Sequence, residues 1–448
     1  MGNKRPRASR CDRRASWYLG AASVCFFVCF KILGGVNVGD DVESTVFSTT
    51  NSLVQAVNET LTAPDPGIFV VEKFKIYVPD WRSEDTQKQW PCLKTTMEKM
   101  FAGKKNEDKW LHGDGSYFEV HYLLYEMLLQ SRFRVDSISD ADCVFIPVNE
   151  VFECPDDVEI EVGVVQWVKH VVSRKKPEAL LFVVSPHAAN FWELFQVYNR
   201  ELLAHRVWYF STFNFDQKLV ALNTYNTMIP PIPLPSLVRS WSDCSLTTTG
   251  CPSADQRGID FYFQGSSRRD PVRIGLIKLF NTSSRIGRGT SIVGGKTSSK
   301  LHQLKLMQSR YCFAPRGDNP FSQHFTNAIA AGCVPVVVSD FLRLFDWSPG
   351  LPLLEFVVRL PEHMFTEESK YRETEAYLDR LANDHHAYSL RVASLLKYRE
   401  YFIPGYGVPF NTNTTMPFRS NEKYQLAFVQ SLQRAYLSHR GEVKGHFR

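Results

Sequence analysis

The stretch from 309 to 340, SRYCFAPRGDNPFSQHFTNAIAAGCVPVVVSD, limits the fold more than any other part of this 448-residue chain. Residues 311–314 are a short apolar run suited to a buried strand, and Pro315 stops it. Arg316-Gly317-Asp318-Asn319-Pro320 is turn chemistry. From 322 to 331, apolar residues return at helical spacing (Phe325, Ala328, Ile329), with Ser322 placed to cap the helix and Gly332 to end it. Residues 334–338 are an apolar, β-branched run, the mark of a strand buried on both faces. Strand, turn, helix, glycine and strand together make one βαβ unit of a parallel sheet. Ligands of such sheets bind beyond the carboxyl ends of the strands, beside a helix N-terminus. The turn at 316–322 falls there. It offers a guanidinium, backbone N–H groups and a hydroxyl, a set that suits a diphosphate. An arginine that only caps a surface loop is the plainer alternative.

The chain is long enough for two domains with full cores. Its net charge of +5 misleads, because residues 1–38 carry seven Lys/Arg against Asp12. The remainder is close to neutral, which argues against a nucleic-acid partner.

Residues 17–38 are mostly apolar or small, interrupted by Lys31, and about twenty such residues cross a bilayer if that lysine snorkels. The basic run before them predicts a cytosolic tail at 1–16 and a signal-anchor at 17–38. A cleaved signal peptide is the rival, weakened by the want of a small-residue cleavage site. Residues 39–70 are rich in Thr, Ser and Asn and read as a stem. Sequons at Asn58, Asn281 and Asn413 fit a lumenal body.

A first α/β domain is expected over 71–235. It opens with a strand at 74–79, then a charged loop with one helix over 81–109 and a helix over 117–133. A strand at 143–148, a helix at 162–172 and a strand at 180–184 follow, with short elements at 207–210 and 219–222. His187 lies just past the strand at 180–184, placed to act as a base or to orient a hydroxyl; a capping or core histidine is the alternative. Glu119, on the helix at 117–133, is a second candidate base against the commoner solvated carboxylate. The Pro-dense run 229–235 cannot be helix interior or central strand, so it marks the crossing to a second domain over 236–420. There a strand at 259–263 runs into Gly265 and Arg268, another phosphate-edge arrangement. Residues 272–280 read as helix or strand, 285–299 as a loop and 301–308 as a helix. A strand at 356–360, helices over 367–397 and a closing helix at 421–438, within a final segment 421–448, complete the reading.

The central stretch resembles the most diagnostic segment of the exostosin glycosyltransferases (GT47). Cys312, Pro315, Arg316, Gly317, Asp318, Ser322, Ala331, Gly332, Cys333, Pro335, Val336, Ser339 and Asp340 carry the likeness in order. The family's helix arginine falls on His324, and its ribose-binding acid on Asn327, which can still bond a hydroxyl without charge assistance. On the acceptor side the family's Asp after His187 is Ala188, and its Gly-Arg-Asp-His element is replaced by Lys175-Lys176-Pro177-Glu178.

The resemblance implies a GT-B architecture: two doubly wound, Rossmann-like α/β domains facing across a cleft. It also implies an inverting transfer of a sugar from a nucleotide diphosphate, a UDP-sugar, to a glycan in the Golgi lumen. Arg316, Gly317, Asp318, Ser322, His324, Asn327, Gly265 and Arg268 would hold the donor. No metal cofactor is expected, since an arginine and a helix N-terminus can carry the diphosphate charge. A non-catalytic partner or glycan-binding subunit is the alternative, and homo- or hetero-oligomers are open. A hydrolase is disfavoured for want of a paired-carboxylate motif. Cys312 and Cys333 lie on neighbouring strands within disulfide reach, a pairing the resemblance also implies. Cys244 and Cys251 bracket a small loop, and Cys92, Cys143 and Cys154 leave one thiol over.

Overall fold

The computed structural model describes residues 73–102, 120–147, 173–185, 207–211, 226–231, 256–266, 270–283, 290–294, 299–317, 322–340, 350–404 and 422–441. It also describes a few positions between them (166–168, 233, 237, 286 and 347). The tail, anchor and stem expected at 1–70 lie outside these residues, as do His187, Glu119, Asp318, Arg268 and the Cys244–Cys251 loop. Among the described residues no helix is long and apolar enough to cross a membrane.

Strands β1 (Ile76–Tyr77), β2 (Arg134–Val135), β3 (Cys143–Phe145), β4 (Leu180–Ser185), β5 (Trp208–Ser211) and β6 (Asn226–Met228) form a first sheet, ordered β2-β1-β3-β4-β5-β6. Every pairing in it is parallel. Helices α1 (Glu84–Gln89), α2 (Pro91–Ala102) and α3 (Val120–Leu129) follow β1. In α3 Val120, Leu123, Leu124, Met127 and Leu128 recur at helical spacing, and His121, Tyr125, Glu126 and Leu129 are buried as well, so the helix is enclosed around most of its circumference.

The second sheet holds β7 (Ile259–Gly265), β8 (Ser291–Gly294), β9 (Ser309–Pro315), β10 (Val334–Val338) and β11 (Val358–Leu360), ordered β11-β10-β9-β7-β8 and again parallel. Counted from its own first strand, it repeats the order of the first sheet through five strands. Its helices are α4 (Pro271–Thr282), α5 (Ser299–Met307), α6 (Gln323–Ala330), α7 (Leu353–Phe356), α8 (His363–Thr366), α9 (Tyr371–Asn383) and α10 (His385–Tyr398). Strand alternation sorts the core into two layers. Phe261, Phe263, Tyr311, Phe313, Val336 and Val338 pack with Val272, Leu276 and Leu279 of α4 and with Leu378 and Val392 of α9 and α10. Tyr262, Cys312, Ala314 and Val337 face the layer of α5 and α6, with Leu306, Phe325, Ala328 and Ile329. At about 2 kcal/mol for each fully buried large side chain, this double-sided burial holds the sheet between its helices. Gly275 lets α4 lie close to α8, since a Cβ there would stand 1.7 Å from the Phe365 carbonyl oxygen.

Helix α11 (Glu422–His439) returns to the first sheet. Phe428 packs its ring 5.1 Å from Phe210 and 6.3 Å from Phe182, and Tyr424 stands 5.1 Å from Trp347. Cys312 and Cys333 form a disulfide with Cα atoms 5.8 Å apart, joining β9 to the turn before β10. Cys143 is buried and free, while Cys154 and the side chain of Cys92 lie outside what the structure describes. Asn281 is exposed in the last turn of α4.

Several expectations need correction. The charged region after β1 holds two helices rather than one, because Ser83 caps α1 and Pro91 starts α2 anew. Residues 272–280 are helix, fixed by the Asp270 cap and Pro271 in the first turn. The loop expected over 285–299 contains β8, and Phe356 ends a helix rather than starting a strand. Strands β2 and β6 gave no apolar run to find. These three missed strands all lie at sheet edges, where a single neighbour relaxes the need for a continuous apolar run. Thr227 of β6, for instance, is buried as the acceptor of the Trp208 indole N–H at 2.8 Å.

Candidate functional site

In the second sheet β7 leads through α4 to β8 on one side, and β9 leads through α6 to β10 on the other. The order therefore reverses between β7 and β9, the place where open parallel sheets bind ligands. Gly265 ends β7 and Arg316 follows β9, so the sequence-predicted turns meet at this point.

The Arg316 backbone N–H donates to the Val338 carbonyl at 3.0 Å, extending the β9–β10 ladder by one residue. That pairing fixes where its side chain begins. The guanidinium Nε lies 2.9 Å from Glu362 Oε2 and 3.8 Å from Asp270 Oδ2. Nε is enclosed and off the hydrogen-bond axis, so the contact with Glu362 is an ion pair rather than an aligned hydrogen bond. The side chain as a whole is 29% exposed, and the contacts among the described residues engage Nε, not the two terminal nitrogens. Glu362 is held in turn: its Oε1 accepts from Asp340 N and its own N–H donates to Asp340 Oδ1, both at 3.1 Å. Burial raises the Glu362 pKa, against the backbone hydrogen bond from Asp340 and the Arg316 charge, which lower it.

Sequence reasoning missed Arg273, Asp270 and Glu362. Arg273, on the first turn of α4, donates from Nε to the Arg316 carbonyl at 2.9 Å and from Nη1 to the Ser266 carbonyl at 3.2 Å. Asp270 caps α4 by accepting from Arg273 N at 3.0 Å. The Asp-Pro pair at 270–271 was a readable helix start, but nothing in it said that the next arginine would reach across to another strand. Glu362 follows β11 directly and could have been flagged by its place at a strand's carboxyl end.

On the other face of the sheet, Ser322 occupies the N-cap position of α6 without making a capping bond, and its Oγ is buried with no partner among the described residues. Gly332 takes a left-handed φ of 63° where the chain leaves α6, as its role as terminator requires. His324 packs edge-on against Phe263, with ring centroids 5.2 Å apart. Burial first, then the Arg273 and His302 charges, push its pKa down to about 3. His324 is therefore a neutral imidazole near neutral pH. His302 on α5 has a pKa lowered to about 4 by burial, and its Nδ1 lies 2.7 Å from the Tyr262 hydroxyl, which donates to Gln264 Oε1 at 2.8 Å. Asn327 is buried within α6.

Arg316, Gly317, Gly265, Ser322 and His324 thus gather at one strand edge, with Asn327 one helical turn further into α6. Chemically the edge presents a partly exposed guanidinium, a helix N-terminus with an unengaged hydroxyl, and neutral imidazoles. Such a set is suited to an anion, and two carboxylates beside it temper its charge.

The first sheet's equivalent edge differs. There Arg82 stacks over Trp81 at 4.0 Å and ion-pairs with buried Glu126 at 2.6 Å, while the Trp81 indole N–H donates to Glu126 at 3.1 Å. There the guanidinium is paired with a carboxylate that is itself buried, 1% exposed.

The family model described as "Exostosin GT47 domain" matches residues 71–367. A curated relative, the Arabidopsis thaliana protein named "Probable glucuronoxylan glucuronosyltransferase", is 28% identical over 127 residues. That likeness spans 27% of this chain and 26% of the relative, so the chain covers about a quarter of that relative's length. The family match takes in both parallel sheets and the whole β7–β9 edge, and with it the chain belongs to the Exostosin GT47 family of glycosyltransferases.

Proposed function

We propose that the protein transfers a sugar from a nucleotide diphosphate donor, a UDP-sugar, to a hydroxyl of a glycan, as a Golgi enzyme anchored through residues 17–38. The observation that carries this reading is Arg316 at the point of strand reversal, beside the N-terminus of α6. In the reaction a base takes the acceptor proton and the acceptor oxygen bonds to the anomeric carbon from the face opposite the diphosphate. The bond from that carbon to the diphosphate oxygen breaks, and UDP leaves. Negative charge grows on the leaving group, where Arg316, the N–H groups of the turn and Ser322 would stabilise it without a metal. His187 or Glu119 would serve as the base, and Asn327 would hold the ribose. A polysaccharide acceptor is in keeping with the relative's printed activity on glucuronoxylan.

A second reading, a partner subunit without turnover, is favoured by one observation: the carboxylate on Arg316 Nε and the neutral His324 leave the turn less cationic than a tight diphosphate site. One experiment separates the two. The protein is incubated with a panel of UDP-sugars and UDP release is measured, with Arg316→Ala in parallel. The expected result is release from at least one donor, reduced to background in the variant. A protein that neither binds UDP nor cleaves any donor would end the first reading and leave the second.

A further inference from the structure

We propose that Arg273 is a positioning residue that ties the turn after β7 to the turn after β9, and that position 317 is glycine because this guanidinium lies over it. The proposal rests on the donor reading above for its consequence, but its geometry stands alone. Arg273 comes from the helix that follows β7, yet its Nε bonds the carbonyl of Arg316, which follows β9. Its Nη1 bonds the Ser266 carbonyl at the end of β7. One planar side chain thereby spans the gap where the sheet order reverses, and no ladder hydrogen bond can do that beyond the strand ends. A Cβ on residue 317 would stand 2.4 Å from Arg273 Nη2 and 3.0 Å from its Cζ. Gly317 is not among the positive-φ glycines, so an alanine there meets no backbone penalty. It meets only the guanidinium, which would have to abandon its two carbonyls to make room. The same contact brings a positive charge to the base of the turn and lowers the pKa of His324 across it. A lysine cannot replace this function: it keeps the charge but, as a compact point donor, does not span both carbonyls.

The test is hydrogen exchange on the full-length protein without ligand, read on peptides covering 262–267 and 313–318, together with UDP affinity and thermal melting. In Arg273→Met both peptides are expected to exchange about tenfold faster, from loss of two charge-assisted hydrogen bonds, with the melting temperature little changed. UDP binding is expected to weaken about tenfold in parallel. Arg273→Lys should match Arg273→Met in both readouts. Gly317→Ala should reproduce them, and the double variant should add little to either single one. Unchanged exchange with lost UDP binding would overturn the proposal by making Arg273 a direct ligand contact. Rescue by lysine would overturn it by reducing the role to charge. The exchange effect in the variants, with no UDP binding by the wild-type protein, would uphold the clamp and remove the donor reading instead.

Discussion

Arg310 and Arg316 stand at opposite ends of the same buried strand, and they differ in what their nitrogens touch. Arg310, at the amino end of β9, has a side chain only 8% exposed. It pairs with Asp260 at 3.1 Å, donates to the Ala382 carbonyl at 2.7 Å, reaches His385 Nδ1 at 3.5 Å and lies 4.4 Å over the Tyr388 ring. Both of its terminal nitrogens are engaged by the protein, and it joins β9 to β7 and to the α9–α10 corner. Among the described residues, Arg316 is 29% exposed and is held through Nε. The sequence offers the same residue type in both places. What distinguishes structure from site is how many donors the fold consumes, and that depends on which end of the strand faces packed helices and which faces the reversal of strand order.

Four experiments bear on this contrast. Arg310→Met should cost about 3 kcal/mol of stability by urea denaturation, because Asp260 and the buried Ala382 carbonyl lose their partner together. A loss under about 1 kcal/mol would erase the difference between the two arginines. Arg316→Ala should lower turnover about a hundredfold or more. Its cost in stability should be under half that of Arg310→Met, since the pair is partly exposed; equal losses would make Arg316 a structural residue. His302 and His324 give a pH signature. Their folded values, about 4 and about 3, lie below the ordinary 6.5, so the unfolded chain binds protons first as pH falls. Stability should therefore decline from about pH 6.5 toward 4, and the double variant His302→Gln/His324→Gln should flatten that limb in urea midpoints taken across the range. The smallest effect belongs to Glu362→Gln. Removing the carboxylate from Arg316 should tighten UDP binding about threefold by calorimetry. Because burial raises the Glu362 pKa, its contribution to stability is present at acid pH and fades as pH rises from 4.5, and glutamine should abolish that term.

Much of the fold was legible because buried parallel strands are continuous apolar runs. VPVVV at 334–338 and LLFVVS at 180–185 read as strands from composition alone. The edges were not legible. NTM at 226–228 and SIVG at 291–294 are strands because a neighbour presents a free ladder to them, not because of their own side chains. The site divides in the same way. Arg316, Gly317 and Ser322 sit in one contiguous turn-and-cap pattern and could be read together. Arg273 and Glu362 lie 43 residues before Arg316 and beyond another strand after it, so no local pattern couples them to the turn.

The linear chain alone settled the alternation of strand and helix, the placing of the 309–340 crossover, and the pairing of Cys312 with Cys333, because each depends on short-range periodicity or on neighbours in one βαβ unit. Only the folded chain decided which guanidiniums are consumed by carbonyls and carboxylates, and that His324 stays uncharged. Those outcomes depend on desolvation and on donors arriving from distant helices, quantities that exist only once the sheet has brought its carboxyl ends together.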